Sequence, residues 1–191
     1  MSAAEHDDEG GAATGPPRVA RLDARERLSR ARRERNEGAF LAEAAAQGFV
    51  PDSSTQVWFE PAADLAEPFG IHAGDEICVR DRVLRADGHP VLLAVSRFPR
   101  SITAGTALER PDTGPGGAPA RLDELGHGAT RYEEVVTAAM ATELERRALE
   151  TERAPLLHVR RTTWSGDRVV ELTDVKMPAG AAELRYSWDA C

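Results

Sequence analysis

The chain has 191 residues, 41% hydrophobic and 29% charged, with a formal net charge of −8. That is enough for one well-buried domain plus a tail, and the composition is ordinary for a globular protein. The acidic balance excludes broad nonspecific nucleic-acid binding by the chain as a whole, and no apolar run of about 18 residues is present to span a membrane as a helix.

Residues 1–17 are expected to form a disordered acidic tail. Glu5, Asp7, Asp8 and Glu9 stand among small residues, the stretch ends in Pro16-Pro17, and nothing in it can be buried. It lacks the basic start and apolar core of a signal peptide, so a cytoplasmic location is expected. Residues 18–37 read as a charged linker in which Arg21, Arg25, Arg27, Arg30, Arg32, Arg33 and Arg35 face Asp23, Glu26 and Glu34, allowing a solvated helix from Asp23 to Arg35. A basic arm touching DNA is the alternative. The remaining residues, 38–191, are expected to form one domain.

Glu37 to Gln47 reads as a short helix stopped by Gly48, and Ser54 to Glu60 alternates as a strand. Pro61 to Glu67 starts a brief helix with proline in its first turn. Two β-runs follow, on either side of Asp87-Gly88, a pair suited to a hairpin because both residues tolerate the left-handed region. Pro111 to Pro119, with three glycines, is expected to be a mobile surface loop, and Arg121 to Leu125 one or two helical turns. Thr130–Thr137 reads as a strand and Ala141–Leu149 as a helix. Pro155–Trp164 and Arg168–Met177 form a second hairpin around Ser165-Gly166-Asp167, and Glu183–Trp188 offers an edge strand. The fold class is α+β: an antiparallel sheet with flanking helices, gathered on one side.

Alternation puts Cys78, Arg80, Arg82 and Leu84 on one face of their strand. His158, Arg160 and Thr162 share a face of theirs, with Leu157, Val159 and Arg161 on the other. Arg82, Ser96, Arg160, Glu171 and Thr173 are the candidate ligand-binding residues. Arginine offers a fork to carboxylate or phosphate, and glutamate accepts from hydroxyl or amine groups. The competing reading is ordinary cross-strand pairing, worth under ~1 kcal/mol per pair. Cys78 and Cys191 have no metal-ligand spacing, and no neighbour would lower the pKa of either. His6, His72, His89, His127 and His158 lack paired spacing too. No phosphate loop, Gly-x-Ser-x-Gly elbow or nucleophile–base set is present, so no catalytic residue, metal ligand or cofactor site is assigned.

The order of Gly38-Ala39-Phe40, Ala66 through Gly74-Asp75-Glu76, Arg82 to Gly88 with Pro90-Val91, Leu122 to Gly126, Glu145 to Leu149 before Pro155-Leu156-Leu157, and Val169-Val170-Glu171 resembles the ligand-binding (UTRA) domain of GntR-type transcription regulators of the HutC-like subfamily. The resemblance implies a chorismate-lyase-like fold with an enclosed pocket for a small effector. It also implies a homodimer, or a heterodimer with a complete family regulator, with Arg82 and Glu171 at ligand-contacting positions. Two departures stand out: Leu84 and Ala139 occupy places where arginine is common. They lead to the expectation of a less charged or more apolar ligand. Residues 1–37 cannot supply the winged helix of such regulators, so no direct DNA binding and no membrane partner are expected of this chain. The function expected is that of a stand-alone effector sensor or accessory regulator. The alternative is an enzyme of the same fold, a lyase, isomerase or cyclase acting on a small organic acid, in which Glu171 would face the pocket with no arginine neutralising it.

Overall fold

The computed structural model describes residues 17–20, 23–29, 31, 39–152 and 154–190. The expected acidic tail lies outside them except for Pro17, and so do residues 21, 22, 30 and 32–37 of the linker. Strands are β1 (Val19–Ala20), β2 (Pro51–Pro61), β3 (Glu76–Ala86), β4 (His89–Pro99), β5 (Arg131–Met140), β6 (Pro155–Ser165), β7 (Arg168–Pro178) and β8 (Ala182–Glu183). Helices are α1 (Ala24–Arg27), α2 (Ala39–Ala46), α3 (Ala66–Phe69), α4 (Arg100–Thr103), α5 (Gly117–Glu124) and α6 (Glu143–Ala148). Short 3-10 turns run through Ala63–Leu65 and Ala107–Glu109.

A six-stranded antiparallel sheet runs in the order β2-β3-β4-β7-β6-β5. It is two meanders, β2-β3-β4 and β5-β6-β7, joined where β4 pairs with β7. The first hairpin closes on Asp87 (φ 50°) and Gly88 (φ 80°), the left-handed pair that a two-residue turn with the right twist demands. The Asp87 carboxylate also accepts from the Val50 N–H at 2.7 Å, tying the turn to the start of β2. β1 and β8 pair in parallel, Val19 with Ala182, which brings the two ends of the described chain together. The edge strand expected at Glu183–Trp188 is therefore only the short β8, and it joins this small ribbon rather than the main sheet.

Helices border both faces, not one. On the first face Phe40 and Ala44 of α2 pack on Leu84, Leu92 and Ala94, while Ile102 of α4 and Ala118 and Leu122 of α5 pack with Phe98. On the second face Ala66 and Phe69 of α3 cover Ile77, Val79 and Leu172. The reason lies in β3, where Ile77 and Cys78, on opposite faces, are both fully buried. Apolar residues on the second face need cover of their own, and burying a side chain such as Phe69 contributes about 1.5–3 kcal/mol.

Candidate functional site

On the first face the two apolar clusters do not meet. Between them the strands present a polar band: Arg80 and Arg82 from β3, Ser96 from β4, Glu171 and Thr173 from β7, and Arg161 and Thr163 from β6. The register explains the grouping, since Arg80 stands opposite Ser96, Ser96 opposite Thr173, Thr173 opposite Arg161, and Glu171 opposite Thr163. Polar groups in a sheet interior are costly unless bonded. Here most are. Arg82 Nη2 donates to Ser96 Oγ at 2.8 Å, Ser96 Oγ lies 2.9 Å from Thr173 Oγ1, and Thr173 Oγ1 donates to Glu171 Oε1 at 2.9 Å. Thr163 Oγ1 donates to Glu171 Oε2 at 3.3 Å. Arginine can only donate and a carboxylate can only accept, so the chain runs one way: Arg82 to Ser96 to Thr173 to Glu171.

The band forms the floor of a cavity of about 670 Å³. This lies within the range of small-molecule sites, ~300–1,000 Å³. Four arginines (Arg27, Arg80, Arg82 and Arg161) line it against two carboxylates, Asp112 and Glu171. Leu84, Leu92 and Ala94 of the sheet with Phe40 and Leu41 of α2 make an apolar wall. Thus a chain of net charge −8 encloses a cavity with a cationic end and an apolar end.

The arginines differ in their work. Arg80 is buried, and its guanidinium is spent on carbonyls: it donates to Leu108 O at 2.6 Å, to Pro111 O at 2.9 Å and to Arg110 O. Burial lowers its pKa, countered by Cys78, Glu171 and Asp112. It fastens the chain before the segment Thr113–Pro119, which lines the cavity opposite the sheet. Arg121 holds the same segment from α5, donating to Thr113 O at 3.2 Å and to Pro115 O at 3.4 Å. The stretch read as a mobile surface loop is therefore a cavity wall tied at both ends, and the sequence signal for it was an inward arginine on a buried strand. Arg82 keeps a buried Nε without a partner. Burial pulls its pKa down to about 10, with Glu171 opposing and Arg80 and Arg161 reinforcing the shift, so at neutral pH it presents a full charge.

Of the five residues singled out from sequence, Arg82, Ser96, Glu171 and Thr173 come together, and all but Ser96 line the cavity directly. Arg160 does not join them. It lies on the opposite face, mostly exposed, where its Nε donates to Asp174 Oδ1 at 2.9 Å. Arg97 and His158 meet the same carboxylate at 2.7 and 2.9 Å. Burial pushes the Asp174 carboxyl up, but these partners outweigh it and hold the group below the usual range. Arg161, one residue on, is the cavity arginine that was missed. Glu171 has no ion pair among the described residues; two threonine hydroxyls are its bonded partners. Burial raises the Cys78 thiol pKa, with the Arg80 charge opposing. Among the described residues no group of three His, Cys, Asp or Glu side chains could hold a metal ion, and no helix is long and apolar enough to cross a membrane.

The family model for the UTRA domain matches residues 54–181, which hold the whole polar band. The chain belongs to the UTRA domain family. Solved structures carry the same fold. PhnF from Mycobacterium smegmatis superposes with a TM-score of 0.74 at 19% identity, over 92% of this chain and 73% of PhnF. The effector domain of PhnF gives 0.68 at 20% identity, covering 79% and 94% respectively. The C-terminal domain of the histidine utilization repressor from Pseudomonas syringae pv. tomato gives 0.62 at 23%, covering 73% and 100%. A putative GntR-family transcriptional regulator gives 0.74 at 22% identity, covering 93% and 71%. The fold is shared with these chains, and the antiparallel sheet with flanking helices expected from the sequence is the six-stranded sheet described above. No curated protein sequence matches the chain.

Proposed function

We propose that this UTRA domain is a small-molecule effector sensor whose cavity takes an organic anion with an apolar body. The observation that carries the reading is the division of one cavity between Arg82 and Arg161 at one end and Leu84, Leu92 and Phe40 at the other. A carboxylate or phosphate suits the arginine forks, and hydroxyl or amine groups suit Glu171. Leu84, standing where arginine is common in the family, supplies part of the apolar wall. Ala139 is exposed on the edge strand β5 and does not line the cavity, so arginine's absence there takes nothing from it. The departure that bears on the ligand is Leu84, and it favours a ligand of modest charge.

The sensor acts in the cytoplasm through association, with a second copy or with a complete family regulator. The ligand shifts that association only as far as its affinities for the two states differ. Native mass spectrometry of protein purified from its own cells tests the reading. A retained organic anion with an apolar portion is expected, released on Arg82→Ala substitution. Tight calorimetric binding of a sugar phosphate would overturn the apolar half of the assignment.

A second reading has one observation in its favour: Glu171 faces the cavity without an ion pair, as an acid or base for a small organic acid would. Turnover of the retained metabolite by the pure protein, abolished in Glu171→Gln, would decide for the enzyme.

A further inference from the structure

Arg27 lies well outside the residues that the UTRA family model matches, yet it reaches the cavity. Its guanidinium donates twice to Glu134, Nη1 to Oε1 at 3.4 Å and Nη2 to Oε2 at 3.2 Å, with both side chains about 95% buried. Glu134 sits on β5, opposite Arg161 in register, and Arg161 Nη1 is 3.8 Å from its Oε1. The fourth member is Tyr186 of the C-terminal segment, whose hydroxyl donates to Glu134 Oε2 at 2.8 Å. Burial pushes the Glu134 carboxyl up, but Arg27, Arg161 and Tyr186 together hold it below the usual range, so it is ionised. One carboxylate is thereby divided between two arginines, both of which line the cavity. Both keep a buried Nε without a partner, and Arg161 is the less satisfied because its ion pair with Glu134 is the longer.

We propose that residues 23–29 are part of the effector shell, and that an anion in the cavity and the docking of this segment stabilise one another through Arg27, Glu134 and Arg161. The proposal rests on the cavity being the effector site. Its logic is charge balance. Docking Arg27 adds a cation to a cavity already rich in them, and Glu134 offsets only part of the total. An anion between Arg27 and Arg161 supplies the rest, so the segment docks more firmly when the cavity is occupied. By linkage, the docked segment raises anion affinity by the same factor. Ser187 Oγ donates to Asp23 Oδ2 at 2.5 Å, so this segment and the C-terminal segment that carries Tyr186 dock together.

The test uses the full chain with phenyl phosphate as probe. Affinity is measured by calorimetry, and amide hydrogen exchange is followed at residues 23–29, at 184–188 and, as a fold control, in β3 and β4. Saturating probe is expected to slow exchange at 23–29 and 184–188 by about fivefold or more, and Arg27→Ala to weaken binding by about the same factor. Arg27→Lys, which keeps the charge and loses the fork, should recover part of it. If the probe binds in an Arg82-dependent way while exchange at 23–29 and the affinity of Arg27→Ala stay unchanged, the coupling is wrong and the effector site stands. If the probe fails to bind, or binds equally well to Arg82→Ala, the site assignment falls and the coupling with it.

Discussion

The substitution Thr173→Val tests whether the polar band is a single bonded unit. Thr173 is fully buried, and its hydroxyl is the middle link between Ser96 and Glu171. Valine keeps the shape and replaces the hydroxyl by a methyl group, so the packing is nearly unchanged. Two bonds go. The one to the Glu171 carboxylate is worth about 1.5–3 kcal/mol and the one from Ser96 about 0.5–1.5 kcal/mol, and the partners are left buried without them. The added apolar methyl returns about 0.8 kcal/mol at most. The net expectation is a loss of about 2–3 kcal/mol, seen in urea unfolding as a lower midpoint with an unchanged slope. Ser96→Ala should cost a similar amount, because it deletes the bond from the Arg82 guanidinium as well as the one to Thr173, while Thr173 keeps Glu171. The double variant should cost less than the sum of the two, since both delete the same Ser96–Thr173 bond. A Thr173→Val protein as stable as the parent, or strict additivity in the double variant, would refute the relay.

Two further expectations follow from the same geometry. Glu145 closes a capping box on α6, accepting from the Thr142 N–H and hydroxyl at 2.8 Å each, and it also takes Lys176 Nζ at 2.5 Å. Burial pushes its carboxyl up, but these three donors hold it at about 2. A depressed carboxyl stabilises the fold above its unfolded value, about 4.3, and loses that contribution as pH falls toward the folded value. The stability gap between the parent and Glu145→Gln should thus be widest above about pH 5 and close as pH falls toward 2; a gap independent of pH would exclude the linkage. Arg80→Met should loosen the cavity wall rather than the sheet, leaving the carbonyls of Leu108, Arg110 and Pro111 without their donor. Limited proteolysis should then cut within 111–117 well before β3 or β4 exchanges its amides, and simultaneous loss of both would show that Arg80 supports the sheet itself.

Much of the fold was legible because it is written in local chemistry. Asp87-Gly88 and Gly166-Asp167 announced both hairpins, alternation announced the strands, and Gly48 the end of α2. What local chemistry cannot announce is the pairing of β4 with β7, because that contact is made between residues some 77 positions apart in the chain. No turn specifies it; the matching of buried faces on two meanders does. The same holds for the second-face helix α3. Alternation says that a strand has two faces, but only the assembled sheet shows that Ile77 and Val79 need a cover as much as Leu84 does.

The site was legible to the same depth. The turn alone would set Ser96 opposite Val79, on the other face from Arg82; the register shift between Leu84 and Arg85 pairs it with Arg80 instead and brings it to Arg82's face, a step that the sequence does not announce. Glu171 and Thr173 share a face of β7 by alternation alone. Arg160-Arg161 is the instructive failure. Two adjacent arginines put one cation on each face, and nothing within β6 says which face is the cavity. Val159 and Arg161 have the same parity, and Val159 belongs to the buried cluster around Leu84 and Leu92. An arginine sharing a face with that valine had to be brought inside with partners, whereas Arg160, on the other face, was free to meet Asp174 near solvent. Arg161 then depends on Glu134, and Glu134 on a residue of the N-terminal segment. This is why the linker arginines, read as a solvated charged face, include one, Arg27, that is buried at the edge of the cavity. The physical rule is that an inward cation recruits its counter-charge from wherever the chain can bring one, and that search crosses domain boundaries drawn from composition.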